Sequence, residues 1–380
     1  MASTKLSLLI GLFCFLAWLG NLSTIEATGE EYQCDQVSPE SLECTEVTSN
    51  LPFFDHVIVI MMENTGRPNI TGNKKYMPYI NELIETEMYA DHYHGYTNPS
   101  LPNYIAITAG SQYWSFSDNP DQVFPHTNIA DLLEERGMTW KSYAQSLPYT
   151  GYLGYTYPDD YAAVYVKKHV PFAFYPQITS NASRLKNIVP YEEILKDLEQ
   201  GTLPSYSFIT PDVCHDMHGQ YSLHVEYESS IPEGGPSDKY CPFNDYYFLW
   251  KNGDNFVKGA ITNITQSKVW KESNSVIFLT WDQAEVDFNK STDGWQYVTA
   301  GPDSPVLFPG TVLLPAGGVY GGGPVPLVAL WSKKPHHHVV YHESSNHLFT
   351  LKTILKAWNL PLLGFTTDAM QIKSFDSFFQ

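Results

Sequence analysis

Short apolar runs alternate with amphipathic stretches along most of the chain. Predicted strands fall at residues 55–62, 140–143, 205–210, 275–280 and 326–331. The first is a continuous apolar run with β-branched residues, which is typical of a strand buried on both faces. Between the predicted strands, helical spacing of apolar positions is found at residues 77–88, 100–110, 128–136, 191–200, 246–264 and 342–358. Strands that alternate with helices predict an α/β fold, with a mostly parallel central sheet and helices on both faces.

The segments without clean periodicity set the predicted domain organisation. Residues 28–52 are polar and indicate an N-terminal arm. Residues 147–180 are rich in Tyr and Pro and predict a long irregular excursion that could wall a cleft. A polar insertion follows residue 218 and extends to about residue 245. Because no internal repeat or linker interrupts the rest, we expect residues 53–380 to form a single domain with loop insertions.

Three predicted strands end in polar clusters. Glu63-Asn64 follows the first strand, Asp212 through His218 follows the third, and Asp282 follows the fourth. In parallel sheets ligands bind at the carboxyl ends of the strands, so these groups are expected at one edge of the sheet.

The segment Thr97–Gly110 carries a serine at a predicted helix start. Pro99 and Pro102 bracket Ser100 and Leu101, and apolar residues then continue to Gly110. A hydroxyl in this position lies near unpaired backbone N–H groups and the positive end of the helix dipole, which suits an anion such as phosphate. A plain N-cap serine is the alternative interpretation.

The N-terminus indicates export. Lys5, the apolar run of residues 6–19 and the small-residue end at Ala27 predict a secretory signal over residues 1–27. Cys34, Cys44, Cys214 and Cys241 remain after its removal, and the two local pairings, Cys34–Cys44 and Cys214–Cys241, are favoured among three possible connectivities. Four Asn-x-Ser/Thr sequons predict a glycoprotein, at Asn69, Asn181, Asn263 and Asn289.

The net charge narrows the possible partners. With 41 acidic and 22 basic residues the formal net charge is −19. Since the basic residues form no cluster, a nucleic-acid or anionic-membrane surface is disfavoured. No apolar stretch after the signal is long enough to span a bilayer, so no stable membrane insertion is expected. A small anionic substrate stays compatible with this charge if a metal or a helix end supplies local positive potential.

The polar clusters offer oxygen ligands for a metal. Glu63, Asn64 and Asp282, with a Ser100 alkoxide and phosphate oxygens, can complete the coordination sphere of a hard divalent cation. Such a cation would favour ionisation of Ser100 and neutralise charge on a phosphoryl group. A turn or helix cap at Glu63-Asn64 and an exposed strand-end aspartate at Asp282 are the competing interpretations.

The histidines give weaker signals. His215, Asp216 and His218 could together bind a transition metal, so a zinc site is an open alternative. The tract His336–His338 is interpreted as solvated. His342 and His347 lie five residues apart and do not match the metalloprotease helix motif. Ser100 is not in a Gly-x-Ser-x-Gly elbow, and the glycines of residues 317–323 match no phosphate-binding fingerprint.

Taken together, these segments resemble the phosphoesterase family that includes acid phosphatases and bacterial phospholipases C, a branch of the alkaline-phosphatase-like fold. The resemblance covers about residues 54–364. The matching pieces are Val57-Ile-Val-Ile-Met-Met-Glu-Asn64, Thr97-Asn-Pro-Ser-Leu-Pro-Asn103 continuing to Gly110, Asp212-Val-Cys-His-Asp-Met-His218, Phe278-Leu-Thr-Trp-Asp282, and His347 through Pro361.

The resemblance implies metal-assisted hydrolysis of phosphate esters through a phospho-serine. It makes Ser100 the nucleophile and assigns Glu63, Asn64, Asp282 and Ser100 to one or more divalent ions. It places Asp216, His218 and His347 in phosphate binding or proton transfer, and we expect Asn103 and His215 to contact the substrate. Two positions depart from the family pattern: Gln283 stands where an acidic residue is common, and Asn98 where many relatives have histidine.

Three functions remain open from sequence. The leading hypothesis is a secreted phosphomonoesterase that works at acid pH on a small-molecule or lipid phosphate ester. The first alternative is a phospholipase C or another phosphodiesterase, for which the Tyr-rich excursion could supply apolar walls. The second alternative is a non-catalytic secreted glycoprotein that binds a ligand, which Gln283 and Asn98 favour.

Overall fold

An eight-stranded mixed sheet forms the centre of the structure, a computed structural model that describes residues 50–160, 163–219, 241, 245–284, 321–369 and 371–380, together with the backbone of residues 32–38 and 41–46. The strands are β1 Tyr32–Ser38, β2 Ser41–Glu46, β3 His56–Met62, β4 Met88–Ala90, β5 Tyr93–His94, β6 Trp140–Ala144, β7 Thr156–Tyr157, β8 Tyr165–Val166, β9 Ile188–Pro190, β10 Tyr206–Thr210, β11 Ser275–Trp281, β12 Leu327–Trp331, β13 Val340–Tyr341 and β14 Ser345–Asn346. The α-helices are α1 Arg67–Ile70, α2 Pro78–Thr86, α3 Ser100–Ala109, α4 Ile129–Glu135, α5 Pro176–Thr179, α6 Ala182–Leu185, α7 Glu193–Gln200, α8 Tyr246–Gln266, α9 Lys268–Glu272 and α10 His347–Ala357. Short 3₁₀ turns add Lys167–His169, Pro171–Phe174, Gly364–Thr367 and Asp376–Phe379.

The central sheet is mostly parallel, as predicted. Its strand order is β13-β4-β12-β11-β3-β10-β6-β9. β12 runs antiparallel to both of its neighbours, β11 and β4, and the other pairings in this sheet are parallel. β3 therefore lies in the middle, with β11 on one side and β10 on the other, so the polar clusters after these three strands meet at one edge.

Helices cover both faces of this sheet. On one face, Phe208 of β10 contacts Tyr104 of α3, and Tyr206 contacts Trp358 at the end of α10. On the other face, Tyr143 of β6 is in register with Ile209 and donates a hydrogen bond to Asp197 of α7 at 2.7 Å. Every residue of β10, β11 and β12 is buried, as expected for mostly apolar strands that are covered on both faces. The predicted α/β class is confirmed.

Several element boundaries differ from the predicted ones. The last long helix begins at His347 rather than at His342, because Asn346 caps it by accepting from the Leu348 N–H at 3.0 Å. The N-terminal arm contains the β1–β2 hairpin instead of loop alone. The Tyr-rich excursion holds short strands, 3₁₀ turns and one short helix, α5.

One of the two predicted disulfides is confirmed. A disulfide joins Cys214 to Cys241. The Cα atoms of Cys34 and Cys44 are partners in the β1–β2 register, and their bonding remains a prediction. The signal over residues 1–27, Asn289 and most of the polar insertion lie outside the described residues. Within the described part of the chain, no helix combines the length and apolarity needed to cross a bilayer.

A carboxylate from one helix caps another helix on the second face of the sheet. Asp254 of α8 accepts the N–H groups of Ile80 at 2.8 Å and Tyr79 at 3.2 Å, both in the first turn of α2. These N–H groups have no partner within their own helix, so Asp254 satisfies donors that would otherwise be left unpaired.

Candidate active site

Ser100 is the first residue of α3 and is almost fully buried, with 1% of its surface exposed. The loop before it is held by Asn103, which accepts from the Thr97 N–H at 2.8 Å and donates to the carbonyl oxygens of Thr97 and Pro99 at 2.8 and 3.1 Å. Both amide hydrogens of Asn103 are used inside this loop. Asn103 thus positions the loop that leads to Ser100, and its contact with a substrate stays a prediction.

Ser100 meets the ends of two neighbouring strands. Its hydroxyl donates to Glu63 Oε1 at 2.5 Å, and it lies close enough to Asp282 to lower the pKa of that carboxyl. Trp281 is in register with Met62, so Asp282 and Glu63 are the next residues on paired strands. The Asp282 Oδ1 atom accepts the backbone N–H of Asn64 at 3.0 Å and of Gln283 at 2.6 Å. The strand ends and the helix start therefore share one cluster, as the sequence predicts.

The third polar segment joins this cluster through its backbone. Glu63 donates its N–H to the carbonyl oxygen of Asp216 at 2.9 Å, and the Thr65 hydroxyl donates to that of Met217 at 3.2 Å. The Asp216 Oδ1 atom accepts from the N–H groups of His218 and Gly219 at 2.8 and 2.9 Å. His218 is close enough to Glu63 for the two charges to interact. Asp216 and His218 therefore belong to the cluster around Glu63.

Two basic residues that the sequence did not single out complete the cluster. Lys168 Nζ lies 3.2 Å from Glu63 Oε1, 3.2 Å from Asp118 Oδ2 and 3.5 Å from Ser100 Oγ. His169 Nε2 lies 3.0 Å from Glu63 Oε1, and its ring stacks on Tyr104 at 5.3 Å. Both residues come from the Tyr-rich excursion, which was predicted only as a possible wall. The basic run Lys167-Lys168-His169 in an acidic chain was the available signal.

The ionisable groups affect one another strongly. Burial alone would raise the pKa of Glu63, but Lys168, His218 and His169 hold that pKa well below its usual range. Burial and the nearby Glu63 charge raise the pKa of Asp216 and of Asp282 well above the usual range. Burial lowers the pKa of His169 and of His218. Glu63 is thus the ionised acceptor of the Ser100 proton, and its negative charge opposes ionisation of the other two carboxyls.

Several oxygen atoms in this cluster have no hydrogen-bond partner in the described part of the chain and could act as ligands of the predicted cation. Four buried oxygens have no hydrogen-bond partner among the described residues: Glu63 Oε2, Asn64 Oδ1, Asp216 Oδ2 and Asp282 Oδ2. Buried polar atoms are rarely left unpaired, and carboxylate and amide oxygens are the ligands that hard divalent cations prefer. A cation would also offset the mutual repulsion of the carboxylates. The residues therefore fit such an ion, although no group of three His, Cys, Asp or Glu within the described ranges is arranged for metal binding.

Two predicted site residues make no hydrogen bond to Ser100 or Glu63 among the described contacts. His215 pairs through Nδ1 with Asp212 Oδ1 at 2.6 Å and packs near Phe256 of α8. His347 is fully buried, its Nε2 lies 2.9 Å from the Trp281 carbonyl oxygen, and burial lowers its pKa to about 4. A neutral ring in this position holds the strand end next to Asp282. Its other nitrogen, Nδ1, is buried without a hydrogen-bond partner among the described residues, and the predicted role of His347 in phosphate binding or proton transfer stays a prediction.

Close backbone packing also positions Asp282. A Cβ atom added at Gly95 would lie 2.5 Å from the Asp282 carbonyl oxygen, and one at Gly322 would lie 2.6 Å from the Thr97 carbonyl oxygen. Gly95 also donates its N–H to the carbonyl oxygen of Gly323 at 2.9 Å. Gly322, in the glycine-rich loop of residues 317–323, is therefore needed for close backbone packing, which the sequence alone did not show.

We expect Gly95→Ala to lower the free energy of unfolding by about 1–3 kcal/mol, because the new methyl group overlaps backbone that has no room to move. Gly259 is the matched control. It lies inside α8 with nothing within 4 Å of an added Cβ, so Gly259→Ala should be neutral or stabilise by up to about 1 kcal/mol. Urea unfolding followed by circular dichroism measures both. Equal stability of Gly95→Ala and the parent protein would contradict the packing argument.

The fold and site define a class: an α/β protein with a buried serine at a helix start, surrounded by carboxylates from adjacent strand ends. Residues 73–230 match the Phosphoesterase family. This match includes Ser100, Lys168, Asp216 and His218, and the resemblance predicted from the sequence is confirmed.

Curated relatives agree with this match. A probable acid phosphatase of Kluyveromyces lactis is 32% identical over 208 residues, which cover 53% of this chain and 48% of the relative. An acid phosphatase of Aspergillus fumigatus is 35% identical over 129 residues, covering 33% of this chain and 29% of the relative. This chain thus spans half or less of these two relatives. A phosphatidylinositol-3-phosphatase of Mycobacterium tuberculosis is 25% identical over 326 residues, covering 85% of this chain and 83% of the relative.

Among solved structures, a protein of the alkaline phosphatase superfamily from Vibrio parahaemolyticus aligns with a TM-score of 0.49 and 13% identity, covering 90% of this chain and 72% of the other.

Proposed function

We propose that this protein is a secreted, metal-dependent hydrolase of phosphate monoesters that acts through a phosphoserine at Ser100. The observation that carries the proposal is the 2.5 Å hydrogen bond from the Ser100 hydroxyl to Glu63, within a cluster of buried and unpartnered carboxylate oxygens. The acid phosphatases among the relatives support the reaction class. The predicted signal over residues 1–27 supports secretion.

In the first step, the Ser100 oxygen attacks the phosphorus while its proton moves to Glu63 Oε1. The bond from phosphorus to the leaving oxygen breaks, and that oxygen takes a proton from His218. In the second step, His218 takes a proton from water, the water oxygen attacks phosphoserine, and the serine oxygen leaves with the proton from Glu63. Because burial lowers the pKa of His218, its protonated form is most populated at acid pH, which supports the proposed acid working range.

Glu63, Asn64, Asp282 and Ser100 are the residues that would hold the cation, with Asp216 beside them. When bound, a divalent cation supplies positive charge that favours the ionised serine and offsets charge on the phosphoryl oxygens. His169 keeps Glu63 in place by donating from Nε2, while Asn103 and His347 fix the two backbone segments that present Ser100 and Asp282.

We expect a strong chelator to abolish hydrolysis of p-nitrophenyl phosphate and a divalent cation to restore it, because the carboxylates would repel each other and the substrate without the cation. The measurement is the initial rate before chelation, after chelation and after re-addition, with elemental analysis of each sample. A sample dialysed without chelator is the control. Full activity in a sample shown to contain no metal would contradict the metal assignment.

Exposed aromatic side chains favour one second candidate, a phospholipase C or other phosphodiesterase. Tyr149, Tyr155 and Tyr157 of the excursion have 62%, 49% and 42% of their surface exposed, and such rings could contact an apolar substrate group. Rates on p-nitrophenylphosphorylcholine and on p-nitrophenyl phosphate compare the two candidates. A faster rate on the diester would favour the second.

A further inference from the structure

Lys168 brings a positive charge close to Ser100, the proposed nucleophile. Its ammonium nitrogen is 3.5 Å from Ser100 Oγ, and its side chain keeps 25% of its surface exposed, whereas Glu63 is fully buried. Of Ser100, Glu63 and Lys168, the lysine is thus the residue with appreciable exposed surface.

A second carboxylate fixes the ammonium group in that position. Asp118 Oδ2 lies 3.2 Å from Lys168 Nζ, and Asp118 Oδ1 accepts the backbone N–H of Leu101 at 2.9 Å. Leu101 is the residue after Ser100, so one carboxylate ties the lysine to the same helix turn that carries the serine. This arrangement reduces the freedom of a long side chain that would otherwise lose rotamer entropy on binding a ligand.

Phosphate monoesters and diesters differ in charge, so the Lys168 ammonium group should affect their binding differently. A phosphate monoester has a second pKa of about 6, so it carries close to two negative charges at neutral pH, whereas a diester carries one. Once phosphorus is bonded to Ser100 Oγ, its non-bridging oxygens lie one bond further on, within reach of a group that is 3.5 Å from Oγ. A fixed ammonium group there interacts more strongly with the dianion than with the monoanion.

We propose that Lys168 binds a non-bridging oxygen of the phosphoryl group at Ser100 and makes the site prefer phosphate monoesters over diesters. This inference rests on the proposed function of the site. Asp118 is the positioning residue that aims Lys168 at that oxygen.

The test compares Lys168→Met with Lys168→Arg at pH 7. This pH lies above the second pKa of the monoester, whereas at acid pH the monoester and the diester would carry about the same charge. For Lys168→Met, kcat/KM for p-nitrophenyl phosphate should fall about 10- to 100-fold, the usual effect of losing a charge-assisted hydrogen bond. The same constant for p-nitrophenylphosphorylcholine should change by less than about threefold, because the diester lacks the second charge. Lys168→Arg keeps the charge and should keep the monoester preference. The affinity for inorganic phosphate, measured by calorimetry, should weaken in Lys168→Met by a factor similar to that for the monoester.

Lys167→Met is the matched control. Lys167 is adjacent in sequence, but its ammonium group donates to the Pro120 carbonyl oxygen at 2.9 Å and lies over the Phe174 ring. This variant should keep the substrate ratio and the phosphate affinity of the parent protein. If Lys168→Met does not fold, Asp118→Asn is the second variant, and it should lower the monoester preference in the same direction.

The outcomes separate the inference from the proposed function. An equal fall for both substrates, or no change for either, would overturn the role of Lys168. If the parent protein hydrolyses neither substrate, the proposed function fails, and the phosphate affinities decide the inference alone. Weaker phosphate binding in Lys168→Met but not in Lys167→Met would then support the contact, and equal binding in the two variants would overturn it.

Discussion

Replacing Ser100 by alanine is expected to lower kcat for p-nitrophenyl phosphate by roughly 10⁴-fold or more, the scale seen when a covalent nucleophile is removed. No other group within the cluster can replace the serine oxygen at the helix start. The fold should persist, because Glu63 Oε1 keeps its contacts with Lys168 and His169 when the hydroxyl is gone. Steady-state kinetics and circular dichroism together measure the two expectations.

Ser111→Ala is the matched control for that variant. Ser111 follows the same helix at its other end, where its hydroxyl accepts the Tyr113 N–H at 3.1 Å. Activity within about twofold of the parent is expected, as for most substitutions away from a site. If Ser100→Ala turned over substrate at the parent rate, a covalent role for this residue would be ruled out.

Asp282→Asn is expected to lose the bound cation and to lower activity by at least about 100-fold. The asparagine side-chain oxygen can still accept from Asn64 and Gln283, so the local geometry is kept while the charge is removed. The measurement is the metal content per chain by elemental analysis, paired with the rate on p-nitrophenyl phosphate.

Asp254→Asn serves as the control for a lost buried carboxylate. Asp254 caps α2 on the far face of the sheet and has no contact with Ser100 or Glu63 among its hydrogen bonds in the described structure. Metal content and activity should match the parent, with a loss of stability of about 1 kcal/mol at most from the weaker cap. A full complement of metal in Asp282→Asn would contradict the ligand assignment.

The main elements of the fold follow from local patterns in the sequence. β3 and β11 are continuous apolar runs because helices cover both faces, and α3 ends at Gly110 because that residue adopts a φ of 77°. The meeting of Glu63, Ser100 and Asp282 also follows, because the carboxyl ends of parallel strands lie at one edge. The sequence did not predict which strands are neighbours, so the pairing of Trp281 with Met62 is known only from the structure.

The rest of the site depends on contacts between distant segments, which local patterns do not encode. Lys168 and Asp118 lie in irregular segments 50 residues apart, and no periodicity predicts that they meet. The resemblance placed His347 among the polar active-site residues. In the structure its ring is buried against Tyr93, and its Nε2 donates a hydrogen bond to the Trp281 carbonyl oxygen. Asn103 likewise has its amide hydrogens taken by nearby backbone, which residue type alone cannot show.

The stereochemical course at phosphorus tests the covalent mechanism most directly. A monoester whose phosphorus is made chiral by isotopic oxygen is used as substrate, and transfer of the phosphoryl group to an alcohol acceptor reports its configuration. Attack by Ser100 followed by attack of the acceptor involves two in-line displacements, so the account predicts net retention. Net inversion would contradict it, because the acceptor would then have attacked the substrate without a phosphoserine between.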